Sequence, residues 1–318
     1  MYRHYPDIDV LKGITILLVI LGHSFCTTPI NIFAMLPVMG DVVRSFQMPL
    51  FFVVSGFLFS STGGVKLLLK KKTSRLLIPY ISFGILSIIL RYLFGAWTNG
   101  GEIPFITSLV KLMNGEYYWF LYTLVIIMTI VQCITNRLLL YIGAITLILL
   151  CLFTDIRSVN IMTIGKVAYY IPFFVLGFSL KDAYSIFNIK FKHSRYFLLL
   201  LFTVFFSLSF FVTDKLLVVK LYFCPIMGIF LTWIIALEIA DKYEGLKKLF
   251  SHFGRYSLQY YLNHLLIMLP FYKLAGFFSN MNPLLPLLSI FICAVITSYC
   301  MLKIEQRFLF LRVMCGLK

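Results

Sequence analysis

What most constrains the fold of this chain is how rarely charge interrupts its apolar runs. Weakly charged stretches cover residues 8–27, 46–62, 76–96, 117–135, 138–154, 166–180, 195–213, 216–237, 256–278 and 284–302. A helix needs roughly 20 residues to cross about 30 Å of hydrocarbon, and most of these runs approach that length. The two shortest, 46–62 and 166–180, are compatible with tilted, re-entrant or partly buried segments. With 61% hydrophobic and 13% charged residues, the chain has too little polar surface to cover a soluble core. A lipid-facing surface needs none. The expectation is an all-α fold: a polytopic membrane helix bundle of about ten transmembrane helices. It forms a single membrane domain over 1–318, with no soluble domain attached and no internal repeat.

The basic residues orient that bundle. If ten spans alternate, 20 of the 28 Lys and Arg share a side with both termini, which leaves 8 on the other. The positive-inside rule then makes both termini cytoplasmic. The net charge of +16 is mostly this topology signal and requires no nucleic acid. The run "KLLLKKKTSR" (66–75) also suits an anionic ligand or lipid headgroups. Seven scattered cysteines, without CxxC or Cys/His spacing, read as small core residues, and no metal is expected. Acids flank the first apolar run and no small-x-small exit follows it, so it does not read as a cleavable signal peptide.

Ionisable residues inside the apolar runs carry the chemistry. In "DIDVLKGITILLVILGHSF" (7–25), Lys12 and His23 share one helix face within about 20° and lie roughly 16 Å apart; Asp9 falls within about 40° of His23. Such a stripe avoids lipid and faces the bundle interior or a wet cavity. Imidazole accepts and returns a proton near neutral pH, so His23 is the candidate catalytic group, with Asp9 beside it. The plain alternative is a histidine that fixes helix packing. Alignment with Lys12 and Asp9 favours chemistry.

Four further stretches hold candidate contacts. In "SFQMPLFFVVSGF" (45–57), Pro49 frees backbone carbonyls, and Ser55-Gly56 admits either a close helix or a ligand. In "KKKTSRLLIPY" (70–80), Lys72 and Arg75 stand three apart and can grip one phosphate, or merely anchor the span. In "NGEYYWFLYTLVI" (114–126), Tyr118 and Trp119 read first as an interfacial belt, although such rings also stack on sugars. Glu116 can orient or charge-balance an imidazole in the same vestibule. In "GRYSLQYYLNHLL" (254–266), Asn263 and His264 are intramembrane polar groups whose favoured role is hydrogen bonding between helices.

Taken in order, these elements resemble the acyltransferase 3 family, integral membrane enzymes that O-acetylate envelope sugars of bacteria, in particular the fucose 4-O-acetylase type. The resemblance runs from "DVLKGITILLVILGH" through "FQMPLFFVVSGFL", "RLLIPY" and "YWFLYTL" to "SLQYYLNH". Lys12-x10-His23 matches the first-helix pattern of a basic residue, ten residues and His. Lys72 and Arg75 match a pair of basic residues three apart, with Lys where Arg is more usual. Gln47 stands where relatives often carry His.

The resemblance implies an acetyl-CoA-dependent O-acyltransferase in a bacterial cytoplasmic (inner) membrane. Acetyl-CoA, or another acyl-CoA, is a co-substrate, and no cofactor stays bound. The donor's phosphates would dock on Lys72 and Arg75, and its arm would thread past Lys12, Ser55 and Gly56. His23 would act as general base or as acyl carrier, with Asp9 and Glu116 assisting. A carbohydrate acceptor would enter from the far side, near Trp119, Tyr118, Gln47, Asn263 and His264. The competing class is a proton-coupled transporter or flippase relaying protons through His23 and His264. It leaves the basic turn unexplained, and the inverted repeats common in transporters are missing.

Overall fold

A computed structural model describes residues 5–27, 35–60, 64–93, 104–212, 216–277 and 284–317. Among these residues 90% are helical and none is in a strand. The helices are α1 (Pro6–Thr27), α2 (Met35–Phe57), α3 (Gly64–Lys72), α4 (Ile78–Leu93), α5 (Phe105–Met113), α6 (Trp119–Cys133) and α7 (Arg137–Phe153). They continue with α8 (Ile164–Asp182), α9 (Tyr184–Val212), α10 (Cys224–Lys242), α11 (Glu244–Arg255), α12 (Ser257–Phe277), α13 (Leu284–Arg307) and α14 (Leu309–Met314).

Five described segments are both long and apolar enough to cross a membrane: Pro6–Phe25, Arg75–Leu93, Ile161–Asp182, Val219–Lys242 and Leu284–Arg307. They correspond to five of the ten apolar runs. Trp119–Cys133 and Arg137–Phe153 are apolar but shorter. Residues 46–57 of the run 46–62 are the second half of α2, a helix that begins at Met35 and carries Asp41 and Arg44. The run 166–180, among the shortest in sequence, belongs to one of the long segments, because helix continues through the polar residues that bound it.

Prolines shape two of the spans. Single π turns, Thr73–Leu77 and Val219–Phe223, lead into α4 and α10. In each case a proline is the second residue of the α-helix, Pro79 or Pro225. Proline donates no N–H, and its ring crowds the carbonyl four residues back, so the turn before it widens to i→i+5 bonding.

By internal contacts the chain forms two interleaved compact units. The first contains α1 to Phe25, α2, α8 from Phe173, and α9–α11. The second contains α3–α7, α8 up to Pro172, and α12–α14.

Within the first unit, α10 packs on both α9 and α2. Two helix crossings are closed by glycine. A Cβ on Gly56 would strike the Phe174 carbonyl oxygen, and one on Gly177 would strike that of Val53, so α2 and α8 touch through backbone. Gly13 and Gly254 do the same for α1 and α11, against the carbonyls of Phe250 and Asp9. Between apolar helices in lipid, such approach replaces the hydrophobic drive with dispersion contact. A ring cluster of Tyr5, Phe57, Tyr184 and Trp233 packs edge to face beside them.

In the second unit, α5 lies along α4. The Leu112 side chain fills the space at Gly84, and the Tyr80 hydroxyl donates to the Leu112 carbonyl. A Thr123–Thr163 hydroxyl pair, 3.2 Å apart, ties α6 to the turn before α8.

These contacts separate crowded glycines from open ones. Gly177→Ala is expected to destabilise by about 1–3 kcal/mol, because the added methyl meets backbone that cannot rotate away. Gly143, in α7, has nothing within 4 Å of an added Cβ. Gly143→Ala is expected to stabilise by about 0.5–1 kcal/mol through helix propensity. Thermal melts of both variants in one detergent check the opposite signs.

Candidate functional site

The α1 stripe exists as an uninterrupted helix. Lys12 Nζ lies 3.7 Å from Asp9 Oδ1, one turn apart, and each side chain is about a fifth exposed. Arg255, at the end of α11, adds a second positive charge that acts on Lys12. Asp7 is anchored in turn: the Tyr184 hydroxyl donates to its Oδ1 at 2.7 Å. The near end of the stripe is thus a set of paired charges rather than lone ones, as burial next to hydrocarbon demands.

At the far end, α2 meets α1. The Gln47 amide lies against Gly22, where a Cβ would come within 2.9 Å of Nε2 and closer still to Oε1. Gln47 is buried, and its Oε1 has no hydrogen-bond partner among the described residues. It therefore stands beside the residue that precedes His23. His23 itself is half-buried and feels the charge of Arg44, one turn before Gln47, whose guanidinium donates to Asp41 at 2.6 Å. His23, Gln47 and Arg44 thus share one end of the α1–α2 contact. Sequence reading had not singled out Arg44.

Ser55 is half-buried, while Gly56 has no room for a ligand because α8 occupies the space its missing side chain leaves. That corrects the expectation that Gly56 lines a donor passage: the dispersion gained at a backbone crossing accounts for the glycine.

In the second unit the basic turn holds a half-buried Lys72 and an exposed Arg75. Lys72 ends α3 and Arg75 sits in the π turn; no carboxylate pairs with either among the described residues. Burial pushes Lys72 below the ordinary lysine value, and the Arg75 charge pushes it the same way. Both effects are relieved by a bound anion. Pro79 cannot bond back to the Arg75 carbonyl, and Gly316 (φ +69°) packs against that oxygen with no space for a side chain. The C-terminal turn therefore seats the basic one.

Arg91, at the other end of α4, reaches the start of α6. Its guanidinium lies 5.8 Å from the Tyr117 ring centroid. Tyr118 is buried rather than belt-like: its hydroxyl lies 3.3 Å from the Ser87 hydroxyl and donates to the Leu262 carbonyl at 3.3 Å. Trp119 stacks on Tyr170 with centroids 5.4 Å apart, and Lys166 Nζ lies 5.6 Å from its ring centroid. Glu116 is exposed on the turn before them.

Asn263 and His264 lie in the interior of the second unit, 1% and 0% exposed. Asn263 Nδ2 donates to Glu305 Oε1 at 2.8 Å and joins α12 to α13. His264 Nδ1 lies 3.0 Å from the Tyr260 carbonyl of its own helix. Next to them Gln259 donates to the Cys315 carbonyl at 2.9 Å. This burial favours the interhelical role. Glu305 was missed, although an acid two residues after "MLK" at the end of an apolar run was the signal.

Among the described residues no group of three or more His, Cys, Asp or Glu is placed to hold a metal ion. Asn263→Leu is expected to destabilise by about 1–3 kcal/mol, since it strips Glu305 of its donor. The double variant with Glu305→Leu should recover much of that loss; a double-mutant cycle on unfolding in detergent checks the coupling.

No curated protein and no solved structure matches the chain. A family model described as an acyltransferase domain, that of the acyltransferase 3 family, matches residues 5–303. That range contains α1 with Lys12 and His23, the Gln47 contact, the basic turn, and the aromatic start of α6. Membrane-length apolar helices and this match over nearly the whole chain agree: the protein belongs to the acyltransferase 3 family and is a membrane acyltransferase.

Proposed function

We propose that this acyltransferase moves an acetyl group from cytoplasmic acetyl-CoA to a hydroxyl of a bacterial envelope glycan, within the cytoplasmic membrane. The observation that carries the reading is the Lys72–Arg75 turn, two cations with no carboxylate paired to them among the described residues. An acyltransferase needs an acyl donor, and coenzyme A thioesters carry phosphates that suit such a turn. Sixteen residues of mostly helical chain separate Arg75 from Arg91, about 24 Å of rise. That distance supports a donor held at one end of α4 and an acceptor met toward the other.

His23 supplies the proton chemistry. As general base it takes the proton of the acceptor hydroxyl while that oxygen attacks the thioester carbonyl. The tetrahedral adduct then expels the coenzyme A thiolate, which recovers the proton from the imidazolium. As nucleophile, His23 would instead carry the acetyl group before passing it to the hydroxyl. In both routes Gln47 stands where its buried amide can receive a hydrogen bond from a substrate group. Lys12, held by Asp9, is a further cation for the donor. Glu116, Tyr118 and Trp119 belong to the acceptor end.

His23→Ala is expected to abolish acetyl transfer in a protein that still inserts and melts as the parent does. Radiolabelled acetyl transfer to envelope glycan, with the melt alongside, checks both halves. Full transfer by that variant would remove His23 from the mechanism. In sealed, oriented vesicles, acetyl-CoA on the cytoplasmic side should acylate acceptor supplied only on the other. Transfer only when both substrates share the cytoplasmic side would refute the two-sided reading.

The basic turn predicts a pH dependence. Folded Lys72 releases its proton below the ordinary lysine value of 10.5. Phosphate binding requires the ammonium, so donor affinity is full below the folded pKa and falls as pH rises through it. Between the folded pKa and 10.5 the unfolded chain holds the extra proton, so ligand-free stability rises with pH in that window. Lys72→Arg should retain donor binding at the alkaline end, because a guanidinium stays charged. Donor KM against pH for the two proteins checks this, and a shared profile would detach Lys72 from donor binding.

A further inference from the structure

The start of α6 is held in an unusual backbone arrangement. Three non-glycine residues have positive φ among the described residues: Tyr118 (43°), Met162 (48°) and Thr163 (55°). All three flank one place. Tyr118 directly precedes Trp119. Met162 and Thr163 precede Lys166, and the Thr163 hydroxyl is bonded to Thr123 of α6. Left-handed backbone is costly for ordinary residues, most of all for a β-branched threonine. It persists where surrounding structure enforces it, and such strain gathers at ligand sites.

What this backbone presents is positive charge on aromatic rings. Lys166 sits over Trp119, and Arg91 over Tyr117 two residues away. Trp119 is backed by Tyr170. Arg157 belongs to the same turn: its carbonyl packs against Gly165, and its Nε is buried with no protein partner among the described residues. The Nε of Arg91 is in the same condition. Glu116 and Asp155 are the neighbouring acids in the sequence. Neither forms an ion pair with Arg91, Arg157 or Lys166 among the described residues. An aromatic face positions a cation without cancelling its charge, so these groups remain able to bind an anion.

We infer that Arg91 and Lys166, set over Tyr117 and Trp119, with Arg157 in the turn whose backbone packs on Gly165, form the acceptor subsite for a negatively charged sugar residue. The inference rests on the glycan acceptor proposed above and narrows it to acidic glycans. The cations take the acidic group, and the strained turns fix their spacing. A neutral sugar would leave that charge uncompensated in a partly buried place, which costs more than a missing contact on an open surface.

The test uses the full chain in phosphatidylcholine nanodiscs, with D-glucuronate and D-glucose as probes titrated by saturation-transfer NMR. Glucuronate is expected to bind at least about tenfold more tightly than glucose, by an amount that shrinks as salt rises. Lys166→Met and Arg91→Gln should each weaken glucuronate by about tenfold and leave glucose within about twofold. Lys166→Arg should restore most of the loss and so distinguishes lost charge from lost fold. Equal binding of the two sugars overturns the inference. Displacement of glucuronate by phosphatidylglycerol nanodiscs overturns it too, because the site would then serve an anionic lipid headgroup. Coenzyme A release from acetyl-CoA, measured on the same sample, reports on the acyltransferase reading separately. Its absence with selective glucuronate binding would sink the donor chemistry and spare the acidic-sugar site.

Discussion

A charged side chain in an apolar helix is tolerable only where another polar group receives it, and that cost organises this molecule. Arg195, 8% exposed, is met by Glu238 at 2.5 Å and Asp241 at 2.9 Å across the α9–α10 contact. Glu305 is met by Asn263, and Lys12 by Asp9. Arg195 and its two carboxylates neutralise charge where α9 meets α10, Lys12 and Asp9 do so within α1, and Asn263 gives the Glu305 carboxyl a hydrogen-bond donor. Against them stand Lys72 with Arg75, and Arg91 with Lys166, which no carboxylate neutralises among the described residues. Lys72 and Arg75 precede α4, and Arg91 lies near its other end.

Other contacts rest on the backbone. Lipid tails are as apolar as leucine, so side-chain hydrophobicity gives helices little reason to prefer each other. Gly56 against Gly177 and Gly13 against Gly254 let two pairs of helices touch along their carbonyls. The second of these crossings places Arg255 where it acts on Lys12. Gly22 serves the site itself, because the Gln47 amide occupies the space beside it. A methyl group at any of these positions would have to displace neighbouring atoms, so small-residue packing and placement of the candidate catalytic groups depend on the same contacts.

Much of the fold was legible in the sequence because hydrocarbon permits few solutions. Long uncharged runs have to be helices, since no water is there to satisfy their backbone. The resemblance was equally readable, because Lys12-x10-His23 and the other elements keep local spacing that needs no knowledge of packing. Span length was less legible. The 166–180 run looked short because polar residues bound it, yet the helix extends through them. The belt reading of Tyr118 failed for a related reason: position in the chain does not reveal a positive φ that turns a ring inward to Ser87 and Leu262.

The sequence by itself determined that this is an all-helical membrane protein of an acyltransferase family, with His23 deep in its first apolar helix and Lys72 and Arg75 before its third apolar run. The helices and the placing of these residues follow from composition and from spacing within single helices, and the family from the resemblance of the motifs. Tertiary structure decided which polar residues are already satisfied. Glu305 takes Asn263, α8 fills the room at Gly56, and Trp119 collects Lys166 from a turn 47 residues later in the sequence. Each outcome depends on contacts between distant segments, and a pattern along one helix carries no information about what its neighbour brings.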